Sequence, residues 1–429
     1  MFHKLEHQLL ASSVNNMTSS TKSLVSFWSF DGDATDLFNT YNGVLYNKPT
    51  FKTGYVGQAI AFTGGNQYVQ TPFVNLAYQS FTIEAWVYLT TLAMTDSSIF
   101  GECTAKTTGK CLQLVIRNKL LYMDFYGHNT TGRTTLQINT WYHVAFVYDE
   151  NLQQQSVYLN GTLDGQTTQS IPPYLGTCAN VTIGTIQNSV ANNYFIGSID
   201  HLSINNRAKS QSEVLSDATL VAYYSFDNGS LLDSGPNRLN GTAVGVRSGA
   251  TVPGRVNQAL LFNSSAAYFQ AFGFTSLGIS NHAFSISIWI KPIASTSGGT
   301  ILIVSSTPLT NSGWCLQFLA MSANGILTYN SISSSYIGPS LTQNVWSHIA
   351  LTYSQMNGLQ LYQNGALYAS NPLSSYSAST LVNYVTLGNS RSSSGCSGGL
   401  TGPFKGYIDE FRVFSRELSQ ADVSALANP

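Results

Sequence analysis

Near the C-terminus runs Phe404-Lys405-Gly406-Tyr407-Ile408-Asp409-Glu410-Phe411-Arg412-Val413, and a version of it, Phe195-Ile196-Gly197-Ser198-Ile199-Asp200-His201-Leu202-Ser203-Ile204, stands earlier in the chain. Both read as strands whose period of two slips at the same point. Ile408, Phe411 and Val413 share a face only if one extra residue lies between the first two, and Ile199, Leu202 and Ile204 make the same demand. A β-bulge at Asp409-Glu410 and at Asp200-His201 supplies that residue and re-aims a side chain. A segment this specific, written twice, constrains the chain to two copies of one all-β unit.

The remaining segments repeat in the same order. Leu24-Val25-Ser26-Phe27-Trp28-Ser29-Phe30-Asp31 is matched by Leu220-Val221-Ala222-Tyr223-Tyr224-Ser225-Phe226-Asp227. Gln58-Ala59-Ile60 answers to Gln258-Ala259-Leu260, and Phe81-Thr82-Ile83-Glu84-Ala85-Trp86 to Phe284-Ser285-Ile286-Ser287-Ile288-Trp289. Trp141-Tyr142-His143-Val144-Ala145 answers to Trp346-Ser347-His348-Ile349-Ala350. Asn160-Gly161 and Asn364-Gly365 are hairpin turns of the kind that needs positive φ. Segments are short, β-branched or aromatic, and bounded by Gly, Asn or Ser, the pattern of sandwiches. Helical spacing is confined to tails after each closing strand, at Lys209 to Leu215 and Glu417 to Val423.

This series of motifs resembles the laminin-G-like/pentraxin-like jelly rolls of the concanavalin A-like lectin/glucanase superfamily, over about residues 24–207 and 220–418. The resemblance implies an all-β chain of two tandem antiparallel β-sandwich (jelly-roll) domains. The expected division is a flexible leader at 1–21, a first domain at 22–212 and a second at 216–429.

Composition narrows the partners. Charged residues make up 9% of the chain and the net charge is −1, with no basic run, so phosphate-backbone binding has no electrostatic support and no nucleic acid is expected. No apolar run reaches the roughly 18–20 residues of a membrane span, so no membrane insertion is expected. The first 23 residues lack the apolar core of a secretory signal. Asn-x-Ser/Thr sequons occur at Asn16, Asn129, Asn160, Asn180, Asn228, Asn240 and Asn263, about the number that this composition supplies by chance. Of the five cysteines, Cys103 with Cys111 and Cys315 with Cys396 are expected to bridge, leaving Cys178 odd. That usage suits an extracellular or cell-surface protein.

Three acids recur in each copy: Asp31, Asp36 and Asp200 in the first, Asp227, Asp233 and Asp409 in the second. The resemblance implies that opening and closing strands are neighbours, so these oxygens are a candidate Ca2+ site. Calcium takes six to eight oxygens, many from Asp- and Asn-rich loops. The second copy keeps the family-like Asp233-Ser234-Gly235-Pro236-Asn237 with Asn240-Gly241. The first departs from it, with Asp36-Leu37-Phe38-Asn39, though Asp33 adds a carboxylate. The alternative is that each Asp closes a turn through its own backbone.

Other constellations point away from catalysis. His143 and His348 lie two residues from Trp141 and Trp346 on one face of a strand, read as core histidines beside structural tryptophans. The Glu-x-Asp-x-x-Glu strand common in hydrolases of the superfamily is absent, and Glu84 becomes Ser287 in the twin, so the carboxylate pair of a glycosidase is not formed. Tyrosine is abundant, with Tyr41, Tyr126 and Tyr336 in expected loops, but no ligand contact follows from that. The expected function is non-catalytic: recognition of a glycan or glycosylated protein with calcium's help, the alternatives being a protein–protein adhesion module that reads no sugar and, third, a glycan-active enzyme of the same superfamily.

Overall fold

The computed structural model describes residues 23–429 except 92–95, 188–192, 251, 294–297, 310–311, 332–333, 374, 392–395, 397–399 and 401; the expected leader at 1–21 lies outside the described residues. The chain separates into two compact units between Ala218 and Thr219. Each is a sandwich of two antiparallel sheets.

In the first unit the inner sheet runs Thr162–Gln166, Gln154–Leu159, Trp141–Asp149, Phe81–Leu89, Ile196–Asn205, Gln58–Thr63, Thr50–Thr53, and the opening strand Leu24–Trp28 also pairs with Ile196–Asn205. Facing it is a sheet ordered Asn129–Thr131, Leu120–Asp124, Cys111–Arg117, Ser97–Cys103, Val181–Ile183, Tyr68–Thr71, Val44–Tyr46. The second unit repeats the plan. Its inner sheet runs Leu220–Tyr224, Gly406–Phe414, Phe284–Pro292, Ser347–Ser354, Gly358–Gln363, Ala366–Asn371, with Leu260–Phe262 also on the closing strand.

Alternation explains the layers. Along Phe81–Leu89, residues Phe81, Ile83, Val87 and Leu89 point inward and meet Phe100, Leu114 and Met123 of the facing sheet in one buried cluster. Apolar burial at roughly 25 cal/mol per Å² is the main force holding the sheets together. Thr82, Glu84, Trp86 and Tyr88 alternate onto the outer face. There the helix Gln211–Thr219 covers part of the sheet, with Val214 packed on Ala145, Val147 and Tyr158. The second copy ends in the helix Gln420–Leu426, held by a Ser419–Asp422 capping box.

The bulge in the closing strand is present in both copies. Asp200 pairs with Trp86 and Ser203 with Glu84, so three steps on one strand oppose two on the other. The same offset separates the Asp409–Trp289 and Arg412–Ser287 pairs. His201 and Glu410 absorb the extra residue at φ 48° and 51°. Ile199, Leu202 and Ile204 thereby all stay in the core. Asn160, Gly161, Asn364 and Gly365 all have positive φ, as the two hairpin turns require.

Disulfides join Cys103 to Cys111 and Cys315 to Cys396, and Cys178 is free and exposed. Beside the first bridge, the Glu102 side chain is wholly buried, and neither carboxyl oxygen has a hydrogen bond of good geometry. Burial raises its pKa from the ordinary 4.5 to about 8, against the smaller pull of Tyr174 and Thr177. A carboxyl that binds its proton more tightly when folded stabilises fully below the unfolded value and loses that contribution as pH climbs to the folded one. The first domain should therefore lose on the order of 4 kcal/mol between pH 4.5 and 8 through this group. Chemical denaturation across that window is expected to show the fall in the native protein and a flatter profile in Glu102→Gln. Parallel profiles would refute the assignment.

Candidate functional site

The six acids divide into two jobs. Asp36 is buried and accepts on both oxygens: Ser26 Oγ at 2.8 Å and the Phe27 N–H at 3.0 Å on one, the Thr40 and Tyr41 N–H groups at 3.1 and 3.2 Å on the other. Asp233 does the same for its own turn, taking the N–H groups of Tyr223 (2.8 Å), Gly235 (2.7 Å) and Leu239 (2.8 Å). Asn42 and Asn240 accept from the N–H of these same aspartates. The Asn-Gly that follows each acid thus closes the turn.

The other four acids converge in pairs on a different loop. Asp200 accepts from the Val56 N–H at 3.1 Å, and Asp31 from the Gln58 N–H at 2.7 Å. In the second domain Asp409 takes the N–H groups of Arg255 and Val256 at 2.7 and 3.0 Å, and Asp227 takes that of Gln258 at 3.1 Å. The fit is close enough to exclude a side chain. A Cβ on Gly54 would stand 2.5 Å from Asp200 Oδ2, and one on Gly254 would stand 2.6 Å from Asp409 Oδ2.

The three acids of each copy are therefore not one cluster. Asp31 with Asp200, and Asp227 with Asp409, clamp one loop each; Asp36 and Asp233 serve the turn after the opening strand. No group of three or more His, Cys, Asp or Glu able to hold a metal occurs among the described residues. The carboxylates accept from backbone N–H groups and, at Asp36, from the Ser26 hydroxyl as well, so each serves the fold as a clamp of a turn or loop. Burial also favours the neutral acids. It raises Asp409 to about 7 and Asp233 to about 6, and it raises Asp200 despite the His201 ring 2.6 Å from its Oδ1.

What the clamped loops position is aromatic. Tyr55, next to Val56, lies flat on Trp86 at 3.4 Å. Its counterpart Arg255 sets its guanidinium 4.7 Å over the Trp289 ring. One step further along the same outer face, Tyr88 and Trp141 are cross-strand partners with ring centroids 5.4 Å apart. In the second domain Lys291 takes the place of Tyr88, and its Nζ stands 4.0 Å from the Tyr407 ring and 4.9 Å from the Trp346 ring.

Trp141 packs against Tyr55 and Tyr88, and Trp346 against the buried Val252, Ala259 and Leu261, as structural tryptophans do, yet neither is deeply buried. Both are half-buried, and Trp346 precedes its strand, Ser347–Ser354. The deeply buried tryptophans are Trp28, Trp86 and Trp289. The reason is coverage: the helix Gln211–Thr219 reaches Val147 but not the end of the strand where Trp141 sits. Tyr336 is likewise in a strand, Ser335–Ser340, stacked on Tyr329 rather than in a loop. Tyr88 and Lys291 could have been found by counting two residues on from each sheet tryptophan.

The histidines are core groups, as expected. His143 packs against Trp86 and His348 against Trp289. Burial lowers both to about 3, so they are neutral. Two buried charge groups were not legible in the sequence. Lys209 Nζ contacts Glu84 and lies 2.6 Å from Asp217. Burial opposes its charge, but the two acids outweigh it and raise its pKa. In the second domain Arg412 holds Glu410 at 2.5 Å, and the Tyr223 hydroxyl donates to the same carboxylate at 3.0 Å.

The Laminin_G_3 family model, described as the concanavalin A-like lectin/glucanases superfamily, matches residues 63–215 and 263–424. No curated protein sequence matches the chain. Among solved structures, domain 4 of AbnA, a GH43 extracellular arabinanase from Geobacillus stearothermophilus in complex with arabinotriose, is 24% identical with a TM-score of 0.39, covering 45% of this chain and 97% of that one. The botulinum neurotoxin serotype D binding domain is 19% identical with a TM-score of 0.36, covering 49% of this chain and 52% of that one. The serotype D ligand-binding domain in complex with N-acetylneuraminic acid is 21% identical with a TM-score of 0.36, over 49% and 51%. The match thus spans about half the length of each toxin domain.

Proposed function

Since the chain belongs to the concanavalin A-like lectin/glucanase superfamily through both of its domains, we propose that it is a non-catalytic, extracellular binding protein that recognises glycans, free or carried on proteins, on the outer aromatic face of each inner sheet. One observation carries the reading. The same position in both domains presents a half-buried tryptophan, Trp141 or Trp346, beside a second ring on a rigid strand. Sugar rings offer an apolar C–H face to such rings, which combine an apolar body with polar edges.

A binding role is supported by how the acids are used. Glycosidic cleavage needs two available carboxyls flanking one bond. Glu84 is tied to Lys209, Glu410 is tied to Arg412, and both are buried. His143 and His348 are neutral and internal. The two disulfides suit an oxidising compartment. Among the described residues no helix is long and apolar enough to cross a membrane. The reading is independent of calcium, since the acids already clamp turns and loops whether or not a cation is bound.

A glycan array probed with the full chain, once in calcium and once in chelator, tests the proposal. The expected result is a defined set of bound glycans that is the same under both conditions. Binding that vanishes with the chelator would restore the metal to the site. An array with no bound glycan would leave the adhesion reading, in which another protein is the partner.

A further inference from the structure

The two faces carry different charge. Where the first domain has Tyr55 and Tyr88, the second has Arg255 and Lys291, while Trp86, Trp141, Asp200 and His143 keep their counterparts. Lys291 sits on the central strand of the sheet and pairs across it with Tyr407. Its ammonium is held by the rings of Tyr407 and Trp346, at 4.0 and 4.9 Å, and the Arg255 guanidinium by Trp289 at 4.7 Å. Neither cation forms an ion pair among the described residues. The nearby acid does not neutralise them. Asp409 binds the Arg255 backbone N–H rather than its side chain, and its carboxyl is shifted by burial and Glu410.

We propose that the outer face of the second domain binds acidic sugars, those bearing a carboxylate or a sulfate, whereas the first domain's face takes neutral ones. This rests on the glycan-binding reading above and specifies its ligand class. Cation–π contact holds each positive group in place without cancelling its charge. An anion arriving from solvent therefore gains a charge pair without first displacing a carboxylate. A sugar ring set beside Trp346 or Tyr407 brings its acidic substituent to Lys291, and Arg255, over Trp289 on the same face, offers a second cation. The first domain offers its ligand rings only.

The test is calorimetric titration of the full chain with three probes of equal length: an oligogalacturonate, a sulfated galactan oligosaccharide that carries no carboxylate, and a neutral galactan oligosaccharide. One or both acidic probes should bind, more weakly as salt rises from about 50 to 500 mM. Which of them binds separates carboxylate from sulfate recognition. Arg255→Gln with Lys291→Gln should weaken acidic binding about tenfold or more, Lys291→Arg should retain it, and Trp141→Ala should leave it unchanged while removing neutral binding. If the neutral probe binds and acidic binding is absent or indifferent to the double substitution, the charge assignment is wrong and the glycan reading survives. If no probe binds, the ligand-class assignment is overturned, and the glycan reading stands or falls on the array. A poly-glutamate peptide binding as tightly as the acidic sugars, and lost in the same variant, would overturn the assignment in favour of an acidic protein partner.

Discussion

Asp36→Ala and Asp233→Ala are each expected to destabilise their own domain by about 3–5 kcal/mol, read from the urea unfolding midpoint of the full chain. A hydrogen bond to a charged group is worth roughly 1.5–3 kcal/mol, and a buried donor left unpaired costs a further penalty. Asp36 accepts from four donors, so truncation strands all of them in one turn. The contributions are not additive, which keeps the expected loss below their sum. Asp36→Asn should cost less, since an amide oxygen still accepts on one side. An alanine variant with an unchanged midpoint would show that these acids do not hold the turn and would reopen their use as cation ligands.

Lys209→Leu should cost the first domain about 3–5 kcal/mol, because it leaves Glu84 buried without its cation. The second domain supplies the control. Lys209 N–H donates to Thr82 Oγ1, and in the twin Leu418 N–H donates to Ser285 Oγ, so Leu418 occupies the place of Lys209 and Ser287 that of Glu84. Lys209→Leu combined with Glu84→Ser should recover most of the loss, as replacing a whole buried ion pair is often neutral. A single substitution that is harmless, or a double one no better than the single, would contradict this account of the triad.

The fold was legible because its signals are local and redundant. The slipped period at Asp200-His201 recurs at Asp409-Glu410, and only a bulge reconciles Ile199 with Leu202 on one face. The Asn-Gly turns and the flanking cysteines worked the same way. The site was legible only in part. An Asp after a strand reads equally as a cation ligand or a turn cap, and the choice depends on which N–H groups the fold brings to it. Asp200 and Val56 are 144 residues apart, a distance no local pattern spans. How deeply Trp141 is buried is not legible, because strand alternation gives the face a side chain takes, not what covers that face. Lys209 stood in a polar tail whose packing on Glu84 is set by the chain's return over the sheet.

The most direct measurement is a comparison of the native chain with Trp141→Ala/Trp346→Ala on the same glycan array, alongside their thermal melts. Both tryptophans are half-buried on the outer face, and Trp346 packs on Val252, Ala259 and Leu261, so their removal should lower the melt while leaving both domains folded. If sugars are read on these faces, the doubly substituted chain retains its fold and loses the glycans that the native chain binds. An unchanged set of bound glycans from that folded variant would contradict the account and move recognition away from both faces.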